Sequence, residues 1–420
     1  MLTTAKQLFN DLKDNAHIFL HSAACNPTIL AELICEEAIQ KGIKKLNFYH
    51  LHLDGEAVHL REKYRDFVEV NCFFVGANCR SALRSGQASY IPVFLSQIHE
   101  LFINGTIELD YALIQTSQFD RHGYATLGPS VDISVSALHS AKKVIAMINP
   151  NMPKVFGEGV VHHSNINHFI EVSQELPAFN AKALSEIDIA IGKNVAKLIE
   201  DGSTLQMGIG DIPNAVLNEL HGHKDLGIHT EMFSDGLIPL VKKGIVTNKY
   251  KKIHPYRIVS SFATGSKDLY DFIDDNPIVQ FMGANFVNDP RVILKNPKVC
   301  AINSAIEIDL TGQICSDSIG HKIFSGVGGQ IDFLRGAVLS HGGKAIIAIP
   351  SRTKTGKSKI VAELAQGAGV VTTRAHAHWV ITEYGAVNLM GKSLRQRSKA
   401  LVKIAHPDDR ENLLRQLAKS

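Results

Sequence analysis

The chain has 420 residues, 45% hydrophobic and 20% charged, which is the balance of a globular protein and too long for one small core. The 44 lysines and arginines oppose 41 aspartates and glutamates for a formal charge of +3, so no overall basic field argues for nucleic acid or a membrane surface. No run approaches about 18 uninterrupted apolar residues, and the first ten residues lack a charged stretch followed by an apolar one, so a cytoplasmic location is expected.

The six cysteines, Cys25, Cys35, Cys72, Cys79, Cys300 and Cys315, show neither zinc-site nor CxxC spacing, and read as buried free thiols in a reducing compartment. The 20 histidines fall in no HExxH pattern, and no metal is expected. Lys242-Lys243 and Lys249-Tyr-Lys251-Lys252 read as solvated faces.

In chain order, His17-Ile-Phe-Leu-His-Ser-Ala-Ala-Cys25-Asn-Pro27 is an apolar strand, a small-residue turn and a proline, and a helical pattern follows. Leu46-Asn-Phe-Tyr-His-Leu-His-Leu-Asp54-Gly55 reads as the next strand, and residues 111–114 as another. Two polar loops, Val75-Gly-Ala-Asn-Cys-Arg80 and Ser117-Gln-Phe-Asp120-Arg-His-Gly123, are given no catalytic role. A domain boundary is placed near residues 177–183, ahead of a long helical stretch over 184–200.

Beyond it, Ser203-Thr-Leu-Gln206-Met207-Gly208-Ile209-Gly210-Asp211-Ile-Pro213 is again a strand, a small-residue turn and a proline, with a helix expected over 214–220. Leu226-Gly-Ile-His-Thr-Glu231-Met-Phe-Ser-Asp235-Gly236 is a short apolar run with a glutamate near its C-terminal end. Asn288 precedes Asp-Pro290, a turn composition, and residues 345–349 form a further strand.

The order repeats. Pro27 and Pro213 lie 186 residues apart in matching contexts, residues 46–55 pair with 226–236 across one gap, and Ala112 to Gly123 pairs with Ala301 to Gly312 at an offset of 189. A repeat this long means two similar domains rather than a solenoid. The fold class expected is α/β, two duplicated domains with mixed or parallel sheets covered by helices, over residues 1–180 and 181–420. A site between the halves follows from such a duplication. Where the second half carries Glu231, the first has Leu51 or His50, and Ser22 and Ala24 stand where the second has Gly208 and Gly210, so the chemistry is assigned to the second half.

A glycine turn before a helix N-terminus is an anion site, and a carboxylate at the end of the next strand lies where open α/β sheets bind ligands. A third glycine cluster, Phe324-Ser-Gly326-Val-Gly328-Gly329-Gln330-Ile-Asp332-Phe333, reads either as a connector or as a loop whose amides converge on a site. A dinucleotide fold fits poorly. Pro213 stands where the third fingerprint glycine belongs, and the Gly326-Val-Gly-Gly cluster lacks a strand before it and a helix after it.

These segments, with Ser316-Asp-Ser-Ile-Gly320, Glu383-Tyr-Gly385 and Ile404-Ala-His-Pro407, resemble the class I CoA-transferases and acetyl-CoA hydrolases over essentially the whole chain, with the nearest likeness to 4-hydroxybutyrate, butyrate or acetate CoA-transferases. The resemblance implies CoA transfer between a short-chain acyl-CoA and a carboxylate such as acetate, through a glutamyl-CoA thioester on Glu231. It assigns Asn288, Gly328 and Gly329 to stabilising the oxyanion. Gln206, Met207, Gly208, Ile209 and Gly210, with Ile306, Gly329 and Lys359, are assigned to the coenzyme, and Lys357 competes with Lys359 for that role. It further implies no cofactor beyond coenzyme A as substrate, no nucleic-acid or membrane partner, and a homo-oligomer. Acyl-CoA hydrolysis by the same glutamate, and a non-catalytic ligand-binding protein of the same fold, are the alternatives.

Overall fold

A computed structural model of the protein describes residues 5–180, 183–208 and 210–418. The chain forms two compact units, one of Met1–Asn180 with Val259–Val287, the other of Ala181–Ile258 with Asn288–Ser420. The first unit thus takes in a segment beyond a simple division at residue 180. Backbone bonds explain this, since Ala263 N–H donates to Pro129 O and Glu158 N–H to Phe281 O.

The first unit is built on seven strands: β1 (Ala16–Leu20), β2 (Leu46–His50), β3 (Val68–Cys72), β4 (Ala88–Tyr90), β5 (Tyr111–Thr116), β6 (Lys143–Ile148) and β7 (His168–Glu171). They run in the order β7-β6-β5-β1-β2-β3-β4, every pair parallel. Parallel strands need crossovers, and helix α1 (Thr28–Lys41) joins β1 to β2. It ends at Gly42, whose φ of +67° is the left-handed cap that glycine adopts without strain. Every residue of β2 and β5 is buried, the signature of strands covered on both faces.

The second unit repeats the plan. Helix α2 (Glu186–Ala196) opens on a capping box between Ser185 and Asp188. Next come β8 (Thr204–Met207), α3 (Asp211–Asn218), β9 (Gly227–Phe233), the short α4 (Pro290–Ile293), β10 (Val299–Asn303), α5 (Gln330–Leu339), β11 (Lys344–Ala348), β12 (Trp379–Thr382) and β13 (Gly385–Asn388). Its strands run β13-β12-β11-β10-β8-β9, parallel except for the β12–β13 pair.

The duplication read from the sequence is therefore also topological. β1 lies between β5 and β2 as β8 lies between β10 and β9. Sequence order reverses between β10 and β8, and ligands of open α/β sheets bind beyond the strand ends at such a point. Glycine sets one packing distance: a Cβ on Gly192 of α2 would lie 2.7 Å from Ala215 O, so α2 and α3 cross in close contact.

Two expectations are corrected. Lys251 is not on a solvated face but 3% exposed, and its Nζ donates to Ile228 O (2.6 Å) and Arg257 O (2.7 Å). The Gly328-Gly329 pair is followed by a helix after all, because α5 starts at Gln330. The apolar spacing of Ile331, Phe333 and Leu334 carries that helix, and the glycines ahead of it hid the start.

Candidate active site

Glu231 is the one residue of β9 that is not fully buried, in a strand otherwise sealed on both faces. Two residues of local chemistry open the strands there. Thr230 Oγ1 accepts from Met207 N–H (3.1 Å) and donates to Met207 O (3.2 Å), so a side chain takes over the backbone pairing at the end of β8. The carboxylate thereby stands at the C-terminal end of the sheet.

Its neighbours come from two helix starts. Asn288 precedes α4, which is capped by Asp289 accepting from Arg291 N–H, and Gly329 is the N-cap of α5. The helices are held together at Gly336, where a Cβ would lie 2.5 Å from Ile293 Cγ2, so only glycine lets α5 settle on α4. The result is that Asn288 Nδ2 donates to Glu231 Oε2 at 3.1 Å. Gly329 lies so close that a Cβ there would overlap both Glu231 Oε2 and Asn288 Nδ2. Gly328, at φ +56°, makes the turn that brings the α5 N-terminus onto the carboxylate.

Asn288 is wholly buried, and among the described residues its Oδ1 has no hydrogen-bond partner. An amide held this way presents its N–H side to the carboxylate and the partial positive charge of the helix start lies beside it. Such donors favour negative charge on an oxygen at that point, whether on a carboxylate or on a tetrahedral intermediate formed from it.

The coenzyme turn sits next to this group. Gln206 and Asn303 form a reciprocal amide pair across the reversal between β8 and β10, with Asn303 Nδ2 donating to Gln206 Oε1 at 2.9 Å. Gly208 passes close to β10, where a Cβ would lie 3.1 Å from Ile302 O. Met207 is buried, Gly210 caps α3 at φ +120°, and Ile209 lies outside the described residues. Pro213 falls in the first turn of α3, which starts at Asp211 rather than at 214.

A cavity of about 510 Å³ opens from Gly210 and the α3 N-terminus, bounded by Ser185, Ser304, Arg352, Lys354 and Lys359 among others. Glu231 does not line it. Arg352 is already engaged by Asp408 and Asp409. Lys359 is half-buried, donates to Ala305 O at 2.8 Å, and is pushed down to about 8 by burial. Lys357 is exposed and outside the cavity lining, while Ile306 lies next to the carbonyl that Lys359 holds. Asn303, Ser304 and Lys354 were not singled out from the sequence. Asn303 and Ser304 carry the only available signal, polar residues ending an apolar strand as Glu231 does.

Solved structures share this two-unit α/β fold. The 4-hydroxybutyrate CoA-transferase of Porphyromonas gingivalis superposes with a TM-score of 0.85 at 36% identity, over 100% of this chain and 97% of that one. RipA from Yersinia pestis superposes at 0.93 with 32% identity, over the same shares.

The chain belongs to the acetyl-CoA hydrolase/transferase family: residues 1–180 match its N-terminal domain and 265–417 its C-terminal domain. It is 47% identical to a succinyl-CoA:acetate/propanoyl-CoA:succinate CoA transferase of Fasciola hepatica, over 97% of this chain and 85% of the relative. It is 43% identical to a 4-hydroxybutyrate coenzyme A transferase of Clostridium kluyveri, over 100% and 97%. Among the described residues no helix is long and apolar enough to cross a membrane.

Proposed function

We propose that this enzyme moves CoA between a short-chain acyl-CoA, such as 4-hydroxybutyryl-, butyryl- or acetyl-CoA, and a carboxylate such as acetate, with Glu231 as the nucleophile. The observation that carries this reading is the Glu231 carboxylate held between the Asn288 amide and Gly329 at the start of α5.

The Glu231 carboxylate adds to the thioester carbonyl, and the CoA thiolate leaves to give a mixed anhydride. The thiolate then attacks the glutamyl carbonyl, giving glutamyl-CoA and releasing the first carboxylate. The acceptor carboxylate attacks that thioester, expelling thiolate and forming a second anhydride. Attack of the thiolate on the new acyl carbonyl yields the product thioester and frees Glu231. Each step passes through a tetrahedral oxyanion, which Asn288 Nδ2 and the backbone at Gly328-Gly329 are placed to stabilise. Every nucleophile is already an anion, so the transfer itself needs no ATP, metal or general base. The diphosphate of the coenzyme lies at the α3 N-terminus, with Lys354 and Lys359 as cations and Ile306 alongside.

Hydrolysis is the second reading. A Yarrowia lipolytica acetyl-CoA hydrolase is 26% identical to this chain, and Glu231 is partly open to solvent. Butyryl-CoA supplied with and without acetate separates the two. Acetate-dependent acetyl-CoA is the expected result, and acetate-independent release of thiol means hydrolysis. The same reading places the protein in the cytoplasm as a homo-oligomer with no nucleic-acid or membrane partner.

A further inference from the structure

The first unit carries a second constellation, remote in sequence from the residues used above. His50 ends β2 and Cys72 ends β3, and the two are register partners in the parallel pair. Cys79 closes a short 3-10 turn, Ala77–Cys79, just beyond β3. One His50 ring nitrogen and the two sulfurs supply three donor atoms within 4.8 Å of one another, and all three residues are wholly buried.

The donor chemistry is that of a metal site. Leu51 O can only accept, so its 3.0 Å contact with His50 Nδ1 places the ring proton on Nδ1. Nε2 is left with its lone pair, the tautomer that a backbone carbonyl imposes on a ligating histidine. That nitrogen lies 4.0 Å from Cys79 Sγ. On a tetrahedral zinc ion, with Zn–S about 2.3 Å and Zn–N about 2.1 Å, that separation is roughly 3.6 Å, so this pair would close by about 0.4 Å.

An independent observation points to a missing ligand. His59 is wholly buried, and among the described residues neither of its ring nitrogens has a hydrogen-bond partner. An unsatisfied buried polar group is costly and calls for an occupant. The His59 ring centroid is 5.5 Å from that of His50. Two imidazoles on one tetrahedral ion stand roughly 5 Å apart by the same bond lengths.

We propose that His50, Cys72 and Cys79, with His59 as fourth ligand, bind one divalent ion of the zinc type that staples the ends of β2 and β3 to the turn after them. Binding displaces one proton from each thiol. Two thiolates and two neutral imidazoles leave the ion with no net charge, the form compatible with complete burial. N₂S₂ donors in a closed site select zinc over calcium or magnesium. The inference does not rest on the transfer reaction.

The test uses the untagged full-length protein equilibrated with zinc and freed of loose metal. Elemental analysis is expected to give about one zinc per chain, and X-ray absorption at the zinc edge two sulfur and two nitrogen neighbours. Replacement by cobalt(II) is expected to give thiolate-to-metal charge-transfer bands. Cys79→Ser is expected to lose these bands and the stoichiometric zinc, while Cys300→Ser keeps both. Should Cys79→Ser not fold, the absorption-edge measurement on the parent decides. Substoichiometric metal, an oxygen-only shell, zinc fully retained by folded Cys79→Ser, or a Cys72–Cys79 disulfide found by peptide mapping would each overturn the proposal.

Discussion

Adding one methyl group at Gly329 tests the geometry of the carboxylate site. Its backbone φ of −99° suits alanine, so Gly329→Ala brings no backbone strain. The new Cβ, however, lands on both Glu231 Oε2 and Asn288 Nδ2, and to reach the shortest tolerable contact each must move by about 1 Å. A displacement of about 1 Å at reacting atoms costs on the order of 100-fold in rate, or about 2.7 kcal/mol. The assay is steady-state transfer from butyryl-CoA to acetate, followed by mass spectrometry of the CoA products, with thermal unfolding recorded in parallel. A fall in kcat of about 100-fold at nearly unchanged stability is expected. A kcat within about threefold of the parent would refute the claim that Glu231 and Asn288 act from the positions described.

Three further outcomes are expected. Asn288→Ala removes the donor to Glu231 and should lower kcat by about 100-fold with a smaller change in KM, since one lost oxyanion donor costs about 3 kcal/mol; equal kcat would remove Asn288 from the machinery. Lys359 loses its proton above about pH 8, so kcat/KM for the acyl-CoA should fall as pH rises through that value, and Lys359→Met should be low and flat across it; an unchanged profile would place the diphosphate elsewhere. Lys251 is held at about 7 by burial against an ordinary 10.5. Between those values the unfolded chain binds more protons than the folded one, so the penalty for the buried ammonium is complete below about pH 7 and is relieved as pH rises towards 10.5. Denaturant titrations should therefore show stability rising with pH over that window by up to about 1.4 kcal/mol per unit more than in Lys251→Met, and identical slopes would contradict the assignment.

What the sequence reveals and what it conceals follow from range. The duplication was legible because β1-turn-Pro27 and β8-turn-Pro213 are local patterns, and parallel strands buried on both faces declare themselves as apolar runs. The nearness of Glu231, Asn288 and Gly329 came from resemblance alone. Nothing local to residues 231, 288 and 329 says that Gly336 lets α5 close on Ile293 and so brings the three together. Lys251 reads as a surface lysine because its neighbours are lysines, and only the fold supplies the two carbonyls that hold it. His50, Cys72 and Cys79 have no motif spacing for the same reason: the pairing of β2 with β3, not proximity in the chain, makes them neighbours.

Covalent capture at Glu231 tests the central claim most directly. The enzyme is incubated with acyl-CoA in the absence of acceptor, treated with borohydride to reduce any glutamyl thioester to the alcohol, digested and mapped by mass spectrometry. The expected result is reduction at one side chain, Glu231, in the peptide spanning residues 226–236. An unmodified Glu231, or capture at another residue under conditions of full activity, would contradict the account.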